Sequence, residues 1–400
     1  MTQPLLTALL ALVLLLPLAH ASTYTFFAGF IGAGSDVGSL PAGTALADAQ
    51  AWCDARPECV ALTYEGPREG PASGTVYFKN RTGELVPNAS SPWSTWARAD
   101  PTATWHAVWV GGQSNSVGTN SQTTGYPVWP TTTRIQSFCW GGQHGCATGT
   151  FAPSAVPLPG ESNVGFAQTY ANLLLQTLPD NHGVVLVNTG VGGTGFHLHE
   201  WSVPDGPLAV QSVKVVQALA AAFPAGLGGN LSFHSMLWHQ AEQDAGDNGD
   251  QFHADYCTYL VDDLSALIDF LRAGFPGASP TTPFIDGGLL PYWQDLVPGG
   301  IGGVTDAIYA LNTSRACTAT ADSRIFRDFK PDGTPNGDPN FRSGVSGMVI
   351  HFDATQAVRL GFEYFDAYLR ALNVTSVVPS DATKNCAGSV PQAPVASCGS

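Results

Sequence analysis

Apolar residues gather along this chain in short continuous runs: His106–Val110, Val184–Asn188, Phe233–Trp238, Phe284–Leu289 and the weaker Ser323–Phe326. Runs of this length and texture suit strands covered on both faces. Between them the apolar positions shift to helical spacing, which predicts helices over Val164–Leu178, Leu208–Phe223, Gln251–Arg272 and Thr355–Leu372. Strand and helix therefore alternate, and the expected architecture is α/β, a three-layer α/β/α arrangement around a mostly parallel sheet. Ligands of such sheets bind at the carboxyl ends of the strands.

The pattern changes before Asp100-Pro101. Residues 22–100 offer a helical turn at Ala47–Trp52, strand-like pieces at Val60–Tyr64 and Thr75–Lys79, an aromatic closing stretch Trp93–Arg98, and the pair Cys53 and Cys59. No titratable pair stands out there, so this part reads as a small disulfide-stapled binding or spacer module for a glycan or protein ligand. Its order of Trp-Cys, second cysteine and aromatic strand loosely resembles the PAN/apple type of module. Residues 101–376 hold the alternating pattern, and 377–400 form a tail. At the other end, the apolar run Leu5–Leu18 and Ala19-His20-Ala21 predict a cleaved secretory signal over 1–21. No Lys or Arg precedes that run, a departure from the usual signal.

Composition narrows the function classes. With 44% hydrophobic residues the chain can bury a large core, and 16 basic against 31 acidic side chains give a net charge of −15. Without a basic cluster, nucleic acid and anionic membranes are poor partners. Eight cysteines in a secreted chain suggest disulfides. Sequence proximity gives Cys53–Cys59, Cys139–Cys146 and Cys386–Cys398, leaving Cys257–Cys317. Sequons at Asn80, Asn88, Asn230, Asn312 and Asn373 would suit glycosylation. His197-Leu198-His199-Glu200 hints at a metal, but further ligands at suitable spacing are missing, so neither a metal nor an organic cofactor is expected.

The chemistry gathers where strands end. Trp105–Val110 empties through Gly111 and Gly112 onto Gln113-Ser114-Asn115, Val184–Asn188 leads to Val191-Gly192-Gly193-Thr194, and Phe233–Trp238 leads to His239-Gln240-Ala241-Glu242-Gln243-Asp244. His351-Phe352-Asp353 precedes the last helix. A serine, a histidine and carboxylates in such positions are the inventory for acyl transfer.

Taken in order, with Glu200-Trp201 and Gly361, these blocks resemble the sialate O-acetylesterase-like branch of the SGNH hydrolases, which shares them with carbohydrate esterase family 6 and its acetylxylan esterases. The resemblance spans Trp105 to Leu372 and implies a flavodoxin-like sheet and a secreted serine esterase acting on O-acetylated carbohydrate. It makes Ser114 the nucleophile and His351 the base, with an oxyanion hole from the amides of Ser114 and Gly193 and the Gln240 side chain. Many SGNH hydrolases carry an aspartate three residues before the histidine, where this chain has Met348. The resemblance therefore favours Glu242 as the triad acid, with Asp244 and Asp353 as alternatives. Ala241 stands where glycine is usual. Asn115, His239, Trp201, Trp129 and Trp140, together with Phe138, Tyr292 and Trp293, are candidates for touching the sugar. The long segment 116–163 is expected to be an irregular lip of the cleft. Two other readings stay open: an inactive extracellular glycan-binding protein, and an SGNH lipase or thioesterase for a longer acyl chain.

Overall fold

A computed structural model of the chain describes residues 24–81, 85–86, 93–100, 102–119, 129, 132–141, 147–154, 164–245, 258–291, 302–328 and 351–373. The signal segment, Met348, Tyr292, Trp293, Asn88, Cys146, Cys257 and the tail with Cys386 and Cys398 lie outside the described residues.

The amino-terminal part is an antiparallel sheet. Strands β1 (Tyr24–Ala28), β2 (Phe30–Ile31), β3 (Asp36–Leu40), β4 (Ala61–Glu65), β5 (Val76–Lys79), β6 (Leu85–Val86) and β7 (Trp93–Arg98) surround the helix α1 (Leu46–Asp54). Five of them pair in the order β1-β7-β4-β5-β3. The end of α1 is pinned to the start of β4 by Cys53–Cys59, and Trp52 stacks on Phe78 at 3.9 Å between ring centroids. The first strand touches the larger part, where the Thr25 hydroxyl donates to the Gly226 carbonyl at 3.0 Å.

The second sheet has seven strands: β8 (Thr104–Gly112), β9 (Ile135–Phe138), β10 (Phe151–Pro153), β11 (His182–Asn188), β12 (Asn230–His239), β13 (Phe284–Gly287) and β14 (Thr318–Ala321). Their order is β10-β9-β11-β8-β12-β13-β14, and all pairs are parallel except β9 with β10. Helices α2 (Ala167–Thr177), α3 (Pro207–Gly226), α4 (Ser265–Gly274), α5 (Gly302–Ser314), α6 (Ile325–Asp328) and α7 (Ala354–Asn373) fill the connections. One face carries α2 against α7, and the other carries α3 against α4, with α5 beside the π-helical stretch Thr258–Leu264. The apolar runs explain the centre: Ala107–Val110, Val184–Val187 and Met236–Trp238 are all buried, as strands covered by helices on both sides must be. Pro207 opens α3, where its missing N–H costs nothing.

Several expectations shift. Segment 116–163 is not wholly irregular, since it contributes β9 and β10 to the sheet edge. The last strand lies at Thr318–Ala321 rather than Ser323–Phe326, where the chain has begun α6. The predicted helix over Gln251–Arg272 is, within the described residues, a π-helical turn followed by α4. Helix α5 had no counterpart in the reading of periodicity. Cys139 and Cys317 are disulfide-bonded to partners outside the described residues.

Candidate active site

After β8 the chain builds outward to β9, β10 and β11 on one side, then crosses to β12, β13 and β14 on the other. The crevice of such a sheet opens where the direction reverses, above β8 and its neighbours β11 and β12. Ser114 sits in the turn directly above β8 and is 7% exposed. The turn is held by Ser116 N–H donating to the Gln113 carbonyl at 2.9 Å and Thr119 N–H to that of Ser114 at 3.0 Å. Gly112 has φ +117° and presses on β12 so closely that a Cβ would lie 2.0 Å from the His239 carbonyl oxygen. Only glycine fits there.

The loop after β11 reaches beside the serine, because a Cβ at Gly192 would stand 3.8 Å from the Ser114 Cβ. Gly193 has φ +72° and faces open space. Neither the Ser114 nor the Gly193 amide donates a hydrogen bond among the described residues. What holds this loop is Asp244. Its buried carboxylate accepts from the amides of Phe196 (3.1 Å) and His197 (2.9 Å), lies 2.9 Å from His197 Nδ1, and accepts from Gln240 Nε2 at 2.6 Å. Gln240 Nε2 also donates to the Thr194 carbonyl at 3.2 Å. Both amide hydrogens of Gln240 are thus committed within the fold, and the side chain braces the glycine loop instead of offering an oxyanion donor.

Asn115 ties three segments together. Its Nδ2 donates to Glu242 Oε1, and its Oδ1 accepts from the Phe352 amide at 3.2 Å, one residue beyond His351. The serine turn, the acid after β12 and the histidine ahead of α7 therefore meet at one buried amide. Glu242 is wholly buried, which alone would push its carboxyl up. The close approach of the His239 ring, with bonds from Glu242's own amide and Asn115, more than offsets that and holds it below the usual carboxylate range. His351, 9% exposed, is lowered by burial, and the charge of Glu242 acts in the opposite direction. Met348 stands three residues before it in the sequence, and the charge that His351 feels comes from Glu242.

The two alternative acids are engaged elsewhere. Asp244 clamps the glycine loop, and Asp353 caps α7: its Oδ1 accepts from the Gln356 amide at 2.8 Å while Gln356 Oε1 accepts from the Asp353 amide at 3.0 Å. This reciprocal pair is a capping box. Ala241 has a φ of +127°, a backbone conformation that favours glycine.

Burial corrects the list of sugar contacts. Trp201 is fully buried, edge-on to Trp238, and donates to the Thr194 hydroxyl at 2.9 Å. His239 is fully buried between Phe166 and Phe352. Asn115 is the tie just described, and Phe138 is core. Trp140 spends its N–H on the Asn188 carbonyl at 2.6 Å and Trp129 on the Thr169 hydroxyl at 3.0 Å. Both remain partly exposed. His197 and Glu200 are bonded to Asp244 and the Gly195 amide, and no group of three metal-ligating side chains occurs among the described residues.

Two residues went unnoticed in the sequence. Tyr364 lies on the buried stripe Ala357, Leu360, Tyr364, Ala367 of α7, and a tyrosine in such a stripe needs a polar partner. Asp286 interrupts the apolar run of β13, opposite Trp238 in register. Burial raises its carboxyl well above the usual range, with the charge of Glu242 adding to the effect.

No family model matches the chain, and no curated protein matches it. Among solved structures it is similar to NanS, at 18% identity and a TM-score of 0.49, over 68% of this chain and 98% of that one. It is similar to a protein of Arabidopsis thaliana at 19% identity and a TM-score of 0.44, over 66% and 97%. A carbohydrate acetylesterase from Xanthomonas citri aligns at 14% identity and a TM-score of 0.34, over 80% and 69%.

Proposed function

We propose that this chain is a secreted serine esterase that removes O-acetyl groups from carbohydrate. Ser114 Oγ attacks the acetyl carbonyl while His351 takes its proton. The sugar oxygen then leaves with that proton, and water hydrolyses the acetyl-serine to acetate by the reverse exchange. The Ser114 and Gly193 amides stabilise the oxyanion, and the charge of Glu242 raises His351 as it takes the proton. The observation that carries this reading is the meeting of the Ser114, Glu242 and His351 segments at Asn115. Acetylated polysaccharide and O-acetylated sialic acid are both within its scope. In the same reading residues 22–100 are a PAN/apple-like module that binds a glycan or protein, and 101–376 form the esterase domain. No helix among the described residues is long and apolar enough to cross a membrane.

The test is acetate release from acetylated xylan, an O-acetylated sialoside and a long-chain acyl ester, with Ser114→Ala beside the parent chain. Release from a sugar ester that falls by about 10⁴-fold or more in the variant supports the reading. Serine-dependent cleavage of the long-chain ester alone replaces it with the lipase reading, and no release from any substrate with the inactive glycan-binding one.

A further inference from the structure

An ionised carboxylate as buried as Glu242 needs a counter-charge, and the hydrogen-bond directions around it locate one. Tyr364 has a single hydroxyl hydrogen. Its oxygen lies 2.5 Å from the Trp238 carbonyl, which can only accept, so the hydrogen points there. The same oxygen lies 3.0 Å from His239 Nδ1. It must be the acceptor in that contact, and Nδ1 carries a hydrogen. On the other side, the Phe352 amide fixes Asn115 Oδ1 as an acceptor, which turns Nδ2 into the donor toward Glu242 Oε1. Oε1 is therefore an accepting oxygen. His239 Nε2 stands 3.6 Å from it, buried and with no hydrogen-bond partner among the described residues. A bare nitrogen lone pair facing an accepting oxygen in the interior would be repulsive. A second ring hydrogen reverses the sign.

We propose that His239 carries both ring hydrogens and is a positioning residue of the esterase: a buried imidazolium under Glu242 that keeps the triad acid ionised for His351. The catalytic half of this inference rests on the esterase reading; the proton count does not. The neighbouring groups leave the pair to itself. Asp286 on β13, Tyr259 from the π-helical stretch and Tyr364 on α7 are all fully buried, and burial raises each of them well above its usual range. Phe166 and Phe352 cover the ring at 5.9 and 5.4 Å between centroids. One imidazolium beside one carboxylate makes the pair net neutral, and Glu242 Oε2 has no hydrogen-bond partner among the described residues.

The experiment has two arms. In the full chain with ¹⁵N-labelled histidine at neutral pH, the His239 ring, assigned by its loss in His239→Gln, is expected to show two protonated nitrogens. An unprotonated Nε2 overturns the proposal whatever the enzyme does. In the second arm, His239→Phe is expected to lower kcat on the acetyl ester by about 10²-fold with KM retained. The same change made on Glu242→Gln, where no charge remains to be balanced, should cost little more. Equal losses in both backgrounds would reduce His239 to packing. A parent chain that cleaves no ester removes the positioning role and the esterase reading together, while the ring spectrum still decides the proton count.

Discussion

Both ends of the central sheet hold packed histidines, and they differ in one respect. Toward the amino end, His106 Nε2 lies 2.9 Å from His182 Nδ1, the His106 and His234 rings meet edge to face at 5.3 Å, and His234 Nε2 is 3.0 Å from the Tyr368 hydroxyl. Burial and the neighbouring ring push His106 down to about 4 and His234 down to about 3, with no carboxylate contributing. At the carboxyl end burial also lowers His351, but Glu242 acts against it. Burial alone makes a histidine a neutral spacer. A carboxylate that is itself held ionised makes it a usable base.

The largest way to break this contrast is Glu242→Gln. It should reduce kcat/KM by about 10³-fold and move the acid limb of the pH–rate profile to lower pH, because it removes the charge that raises His351. An unchanged limb would show that another group supplies that charge.

Next in size is acid stability, which belongs to the opposite end. The unfolded chain protonates these rings near 6.5, while the folded one does so near 4 and 3. Their contribution is therefore intact above about 6.5 and lost as the pH falls from there through 4 and on to 3. Melting temperature should fall across that window, and His106→Gln with His234→Gln should flatten the slope. A slope that survives both substitutions would place the acid sensitivity elsewhere.

Smaller effects separate the acids. Asp353→Ala removes a helix cap and should cost about 1 kcal/mol of stability with kcat unchanged. A collapse of kcat instead would make Asp353 the triad acid. Ala241→Gly relieves a positive φ worth about 1–3 kcal/mol and gives up a buried methyl worth about 0.8 kcal/mol. A modest net gain in melting temperature is expected, and a loss would mean that the methyl matters more than the strain.

How much of this could be read from the amino acids follows from how far each residue's role is local. The run ending at Ser114 and the helix after Asp353 declare themselves, since apolar texture and cap chemistry act within a few positions. Strands β9 and β10 are only four and three residues long and lie among glycines and prolines, so their pairing comes from the sheet and not from their own pattern. The tryptophans misled for a related reason: stacking on a sugar and filling a core call for the same side chain, and Trp201 differs from a surface tryptophan only in what covers it. Gln240 and Asp244 sit in the block that was recognised, yet their work is to brace a loop some 47 residues earlier, which no local spacing reveals. Asp286 is legible as a charge inside an apolar strand, the kind of position where a buried polar role announces itself.

Gly112 makes the site heritable only as a unit. There is no space for even a methyl group between it and the His239 carbonyl, so the turn bearing the serine and the turn bearing the acid share one wall. A loop transplanted into either position from another protein would have to bring its counterpart with it, and a designer reshaping the cleft would find more freedom in the open ground before Gly193 than at this seam.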